Sequence, residues 1–188
     1  MRLLASVVLA SALTAPLAAT TVIAPTFEEL VAKARTIFVG ETIDTRTAWE
    51  TTREGRHIVT IVTFDVSRVI KGTVGLRTQL TFAGGRIADV AQEIAGMPKF
   101  RVGDRDVLFV SGDGNTVSPL VALWHGRFRL QPDPDGGERF VRSFDGKPLL
   151  LGLDMRERTG NPSRGPLRLS EFESAVRQRA STSDRNQR

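Results

Sequence analysis

The chain contains no cysteine. Disulfides, thiolate zinc sites, iron–sulfur clusters, a cysteine nucleophile and an N-terminal lipid attachment are therefore excluded. Histidine is nearly as scarce, with His57 and His125 alone. Neither belongs to an H-E-x-x-H motif or to a pair at helical spacing, so a histidine-based zinc hydrolase site lacks its ligands. Also missing are a G-x-S-x-G nucleophile elbow, an S-x-x-K motif and a glycine-rich phosphate loop with its lysine. Asp133, Asp135, Gly136 and Glu138 superficially suggest a calcium loop, but Gly137 stands where that spacing needs an acid, and a hairpin turn accounts for the same residues. No apolar run reaches the roughly 20 residues that a membrane-spanning helix needs. These absences point to no cofactor and no metal, and they rank binding above catalysis.

What is present begins with an export signal. Arg2 supplies a positive start, Leu3 to Leu13 is an almost unbroken apolar run, and Leu17-Ala18-Ala19 offers small residues before a cut. Residues 1–19 therefore read as a cleavable signal peptide, with an uncleaved N-terminal anchor as the alternative. The expected compartment is the bacterial periplasm or the exterior, where a protein can do without disulfides. No integral membrane segment is expected after cleavage.

The sequence pI of about 10.6 invites a nucleic-acid reading. The charge distribution opposes it. Residues 20–155 carry 17 Lys+Arg and 17 Asp+Glu, whereas residues 156–188 carry 8 Arg and 4 acids. A neutral body with a basic tail, its cations interleaved with acids, is an ordinary solvated surface.

Hydrophobic residues make up 40% and charged residues 25% of the 188, values of a globular chain large enough to build a core unaided. Thr26 and Glu29 have capping-box spacing ahead of a short helix whose stripe is Phe27, Leu30, Val31 and Ala34. Strands are expected at Thr36–Thr45, His57–Ile70, Arg77–Ala83, Asp106–Ser111, Val117–Trp124, Arg127–Gln131 and Arg139–Phe144. A polar connection is expected at Arg46–Arg56, and Ile87–Ile94 fits either a helix or an ordered loop. In the second strand the apolar phase slips at Val69, which predicts a β-bulge near Ser67–Arg68. Residues 156–166 read as a linker. Ser170 and Glu173 mark a second capping box, with Leu169, Phe172 and Val176 on the apolar side of a last helix, and Ser181–Arg188 reads as a disordered tail. With no βαβ alternation, the fold class is mainly β: a small closed antiparallel barrel of five or more strands, with an extra C-terminal hairpin and two or three short helices. The domain spans 20–155, and Phe64, Val66 and Phe109 are expected together at its centre.

Three segments carry a family likeness. They are Ala34-Arg35-Thr36-Ile37-Phe38-Val39-Gly40-Glu41, then Val62-Thr63-Phe64-Asp65-Val66 with Val69-Ile70-Lys71-Gly72, and Phe100-Arg101-Val102-Gly103-Asp104-Arg105-Asp106 running into Val107-Leu108-Phe109-Val110. Their order resembles bacterial exported proteins of the netrin-type class, that of the tissue inhibitors of metalloproteinases. The resemblance implies an OB-like barrel. The inhibitors reach the protease zinc through an N-terminal cysteine, so that mechanism does not transfer to a chain with no cysteine.

OB barrels bind through loops at one end and through one barrel face. That points to the Thr45–Arg56 and Arg86–Lys99 segments and to Trp49, Arg53, Arg86, Met97 and Lys99 as contact candidates, Trp49 because a rigid aromatic anchors an interface. The expected function is an exported, non-catalytic binding module whose sharper partner is another exported protein, such as a protease. Two rivals stand beside it. One is an envelope enzyme, should Asp104, Asp106, His125 and Arg127 converge in one pocket. The other is a structural envelope protein held by its basic tail.

Overall fold

The computed structural model describes residues 25–53, 55–112, 117–133, 139–143 and 167–186. The signal segment, the 156–166 linker and residues 134–138 of the turn-rich stretch lie outside them. Helix α1 (Phe27–Lys33) begins with both halves of its capping box: Glu29 N–H donates to Thr26 Oγ1 at 3.1 Å, and Thr26 N–H donates to Glu29 Oε2 at 2.7 Å. Strands β1 (Ala34–Thr52), β2 (Gly55–Lys71), β3 (Arg77–Ala83), β4 (Gly85–Ile87), β5 (Val90–Gln92), β6 (Arg105–Ser111), β7 (Arg127–Gln131) and β8 (Phe140–Arg142) follow, and helix α2 (Leu169–Asn186) ends the described chain. Six strands form one antiparallel sheet in the order β3-β2-β1-β6-β7-β8. The protein is mainly β. Among the described residues β3 and β8 stand at opposite ends of this order and do not pair with each other, so the sheet is not closed into a barrel.

Side-chain alternation sorts the core into two layers, one on each side of this sheet. Ile37, Val39, Val107, Phe109, Phe128 and Leu130 face α1 and α2, where they meet Phe27, Leu30, Phe172 and Val176. Their neighbours Phe38 and Leu108 point the other way, to Val62, Phe64, Val66, Leu80, Phe82 and Leu120. Phe109 therefore does not share a centre with Phe64 and Val66. The run Val107-Leu108-Phe109-Val110 is apolar at every position, as a strand covered on both sides must be. Such a run carries no phase from which a face can be read. Each fully buried large apolar side chain contributes about 1.5–3 kcal/mol. Four rings, Phe27, Phe109, Phe128 and Phe172, meet edge-on or tilted at 5.1–6.4 Å in the helix-covered layer.

The β1–β2 hairpin departs from expectation. Arg46–Arg56 is no connection: β1 pairs with β2 from Ile37↔Lys71 out to Thr52↔Gly55, so the polar stretch is the arm of one long hairpin. Thr, Arg and Trp suit a strand exposed on both faces, and hydrophobic periodicity is silent for such a strand. Along it Val39 pairs with Arg68 and Gly40 with Val66, which leaves Ser67 as the extra residue of a bulge. Gly72, at φ +72, closes the end of β2 against the Arg35 carbonyl, where a Cβ would collide with that oxygen.

Three further segments differ. Ile87–Ile94 forms neither a helix nor a loop. Its first residues belong to the β4/β5 hairpin, turned by Ala88 at φ 49. Val117–Trp124 contributes only the Leu120↔Val110 bridge, because Ala122 and Leu123 adopt left-handed φ of 51 and 57 and throw the chain into a single 3-10 turn, Leu123–Gly126. α2 does not end near Ser181. It continues to Asn186, with Ser181 and Thr182 hydroxyls donating to the Gln178 carbonyl. Its cap also lies upstream of Ser170: Glu171 Oε2 accepts the Arg168 N–H at 3.0 Å, and Glu173 is buried instead, paired with Arg68 at 2.8 Å and Arg177 at 3.3 Å. Among the described residues no helix is long and apolar enough to cross a membrane.

Candidate functional site

The inner face of the sheet opens into a cleft of about 740 Å³. Thr45, Thr60, Val62 and Phe82 form its floor, and residues 91–100 form the facing wall. Side chains fasten that wall to the hairpin. Ile58 N–H donates to Gln92 Oε1 at 2.8 Å, Thr60 Oγ1 donates to the Gly84 carbonyl at 2.7 Å, and Thr47 Oγ1 donates to the Arg86 carbonyl at 3.0 Å. At the wall's bend Gly96, φ +74, lies against the Trp124 indole, so close that a Cβ would overlap its six-membered ring atoms.

The wall's far end is held by a buried ionic cluster. Arg127, on β7, donates through Nη1 to the Lys99 carbonyl at 2.6 Å and through Nη2 to Asp104 at 2.9 Å and Asp106 at 2.8 Å. Its guanidinium stacks 4.0 Å above the Phe100 ring. Phe100 in turn meets Phe64 at 5.3 Å and Phe82 at 5.1 Å. Arg129 adds a bond to Asp104 at 2.6 Å. Alternation explains the placement. Phe128 and Leu130 point to the helices, so Arg127 and Arg129 must point to the inner face, opposite Asp106 across the β6–β7 ladder.

The two carboxylates differ in environment. Burial raises Asp106 more than the lowering pull of Arg127 and Arg129 can reverse, and Asp104 beside it pushes the same way as burial. Asp106 Oδ1 accepts no hydrogen bond, and Arg129 Nε stands 4.0 Å away. Asp104 also feels burial, but the Arg101 N–H, Arg127 and Arg129 together hold its carboxyl below the usual carboxylate value. His125, buried beside Trp124 with ring centroids 5.1 Å apart, has its imidazole pushed down by burial.

Asp104, Asp106 and Arg127 thus converge, whereas His125, the fourth residue of the enzyme reading, is placed against Trp124. What they can do chemically is limited, because Asp106 is fully buried, Arg127 is 5% exposed, and none of the three lines the cleft. Their bonds are used in holding Lys99–Arg101 to the sheet. Among the described residues no group of His, Asp and Glu is arranged to hold a metal ion.

Of the contact candidates, Arg86, Met97 and Lys99 come together around the cleft, with Lys99 near Glu93 at 3.9 Å. Trp49 and Arg53 do not. Trp49 sits out on the β1–β2 arm, 38% exposed with Arg56 stacked on it at 4.3 Å, and Arg53 is exposed at the arm's tip. Sequence reasoning missed Phe100 and Phe82 as lining residues. The signal was present in Phe100, an aromatic set between the breaker Gly96-Met97-Pro98 and the turn at Gly103, where a strand core has no use for it. Comparison with protein-family models, curated proteins and solved structures finds no match to this chain.

Proposed function

We propose that the chain is an exported, non-catalytic binding module and that the cleft between the inner sheet face and residues 91–100 is its ligand site. One observation carries this reading: the cleft is a pre-built concave surface. Its apolar lining of Val62, Phe82, Met97 and Phe100 is braced by Arg127, which bonds the Lys99 carbonyl and stacks on Phe100. Preformed concavities lined by apolar groups with a few polar rim residues are the ordinary form of a binding site. Arg86, Glu93 and Lys99 supply the rim. The ligand class we favour is a segment of another exported protein.

An OB-like, netrin-type ancestry belongs to the same proposal. The order β3-β2-β1-β6 supports it. So does the Ala83 N–H, which donates to the Val117 carbonyl at 2.9 Å and brings the β3 edge to the segment beyond β6. The test is affinity capture from the native exported fraction with the intact chain beside the Met97→Asp and Arg86→Glu variants. A specific protein whose recovery falls about tenfold with either variant is the expected result. Equal recovery by all three chains rejects the cleft as the site.

A further inference from the structure

The two edges of the sheet are treated differently. At β8 the chain covers itself: Val141 N–H donates to the Leu167 carbonyl at 2.9 Å, and Leu169 N–H donates to the Arg139 carbonyl at 3.0 Å. At β3 it does not. Val66 N–H donates to the Leu76 carbonyl, so even-numbered backbone groups of this segment face β2 and odd-numbered ones face outward. The Ala83 amide agrees with this phase, since it points away from β2 to the Val117 carbonyl. Arg77, Gln79 and Thr81 therefore turn their N–H and C=O groups outward, and among the described residues none of these groups is paired. β3 also lacks the usual edge protections: it has no proline, no bulge and no inward charge.

We propose that this outer edge of β3 is a docking rail for an extended segment of a partner protein, added as a further strand that ends in the cleft. The inference rests on the reading of the cleft as a binding site and names how its occupant is held. The unpaired groups define the chemistry, because only an extended backbone can answer three alternating donor–acceptor pairs over about 14 Å. Leu80 and Phe82 face the cleft side, while Gln79 and Thr81 face outward. The added strand must therefore alternate apolar and polar residues. Leu76, 82% exposed, and Val117, 41% exposed, stand near the two ends of the rail as apolar contacts. Arg77 favours an acidic residue on the partner at the β2-turn end.

Random twelve-residue peptides displayed on phage and selected on the intact chain supply the probe. The selected peptides are then followed by amide hydrogen exchange. The expected binder alternates apolar and polar residues and slows exchange of the Gln79 and Thr81 amides at least tenfold. Gln79→Pro, which deletes one outward N–H and leaves the bonds to β2, should weaken it at least tenfold; Thr81→Pro serves if that variant misfolds. A binder sensitive to Gln79→Pro but indifferent to Met97→Asp supports the rail and removes the cleft from the reading. A binder that protects residues 91–100 alone and ignores Gln79→Pro overturns the rail and leaves the cleft standing. Protection of the same amides without peptide, rising with protein concentration alongside a dimeric mass, assigns the edge to a second copy and overturns the proposal. Failure to select any binder overturns it as well.

Discussion

Arg127 is the residue on which most of the inner face depends. Its one guanidinium closes three hydrogen bonds and covers one ring. Replacing it with Met would leave Asp106 buried with no close partner, and breaking a buried pair from one side costs about 3–5 kcal/mol. Urea unfolding of Arg127→Met should show that loss, and Asp106→Asn a smaller one because no charge is then stranded. Acid should act through Asp104. A carboxyl held below its usual value stabilises the fold above the unfolded value of about 3.9, and that stabilisation is lost as pH falls through the folded value. Asp106 has the opposite sign, since its raised value favours the fold when protonated. Asp104→Asn should thus destabilise by about 1–3 kcal/mol at neutral pH and flatten the loss of stability below pH 4; an acid titration of unfolding midpoints checks both effects. Gly96→Ala, with a Cβ aimed at Trp124 from a left-handed backbone, should cost at least about 1 kcal/mol. It should also shift Trp124 fluorescence in a Trp49→Phe background.

Among the elements, the β1–β2 hairpin divides into an inner half that belongs to the core and an arm that does not. Ile58, Val59 and Val62 are buried, whereas Trp49 and its neighbours are exposed or half-exposed. Replacing residues 50–57, between the paired Trp49 and Ile58, with a two-residue Asn-Gly turn should change stability by less than about 1 kcal/mol, because little apolar surface is involved. Deleting Ser67 should do far more. Without the bulge, a one-residue slip turns Phe64 and Val66 from the core to the other face, and loss of the cooperative unfolding transition is the expected readout. The bulge was legible in the sequence because it shifts a hydrophobic phase. The arm was not, because two exposed faces leave no phase to shift. The turn at Ala122–Leu123 was hidden for another reason: two non-glycine residues hold left-handed φ, and only their surroundings impose it.

Over the whole molecule, the C-terminal helix is part of the core and not an appendage. Phe172 and Val176 are fully buried against Phe27, Phe109 and Phe128. Phe172→Ala should cost about 3–5 kcal/mol in urea unfolding, and ending the chain before residue 167 should expose that layer and cause aggregation. Local composition fixed much about this protein: α1 and its capping box, the span of β3, the bulge at Ser67 and the β-rich class all follow from spacing and propensity, which act between near neighbours. Which face of β6 belongs to which layer, where Arg127 points and which edge stays bare were decided only by the tertiary structure. Those outcomes depend on contacts between residues far apart in sequence, and a strand that is apolar on both faces offers no local sign of them.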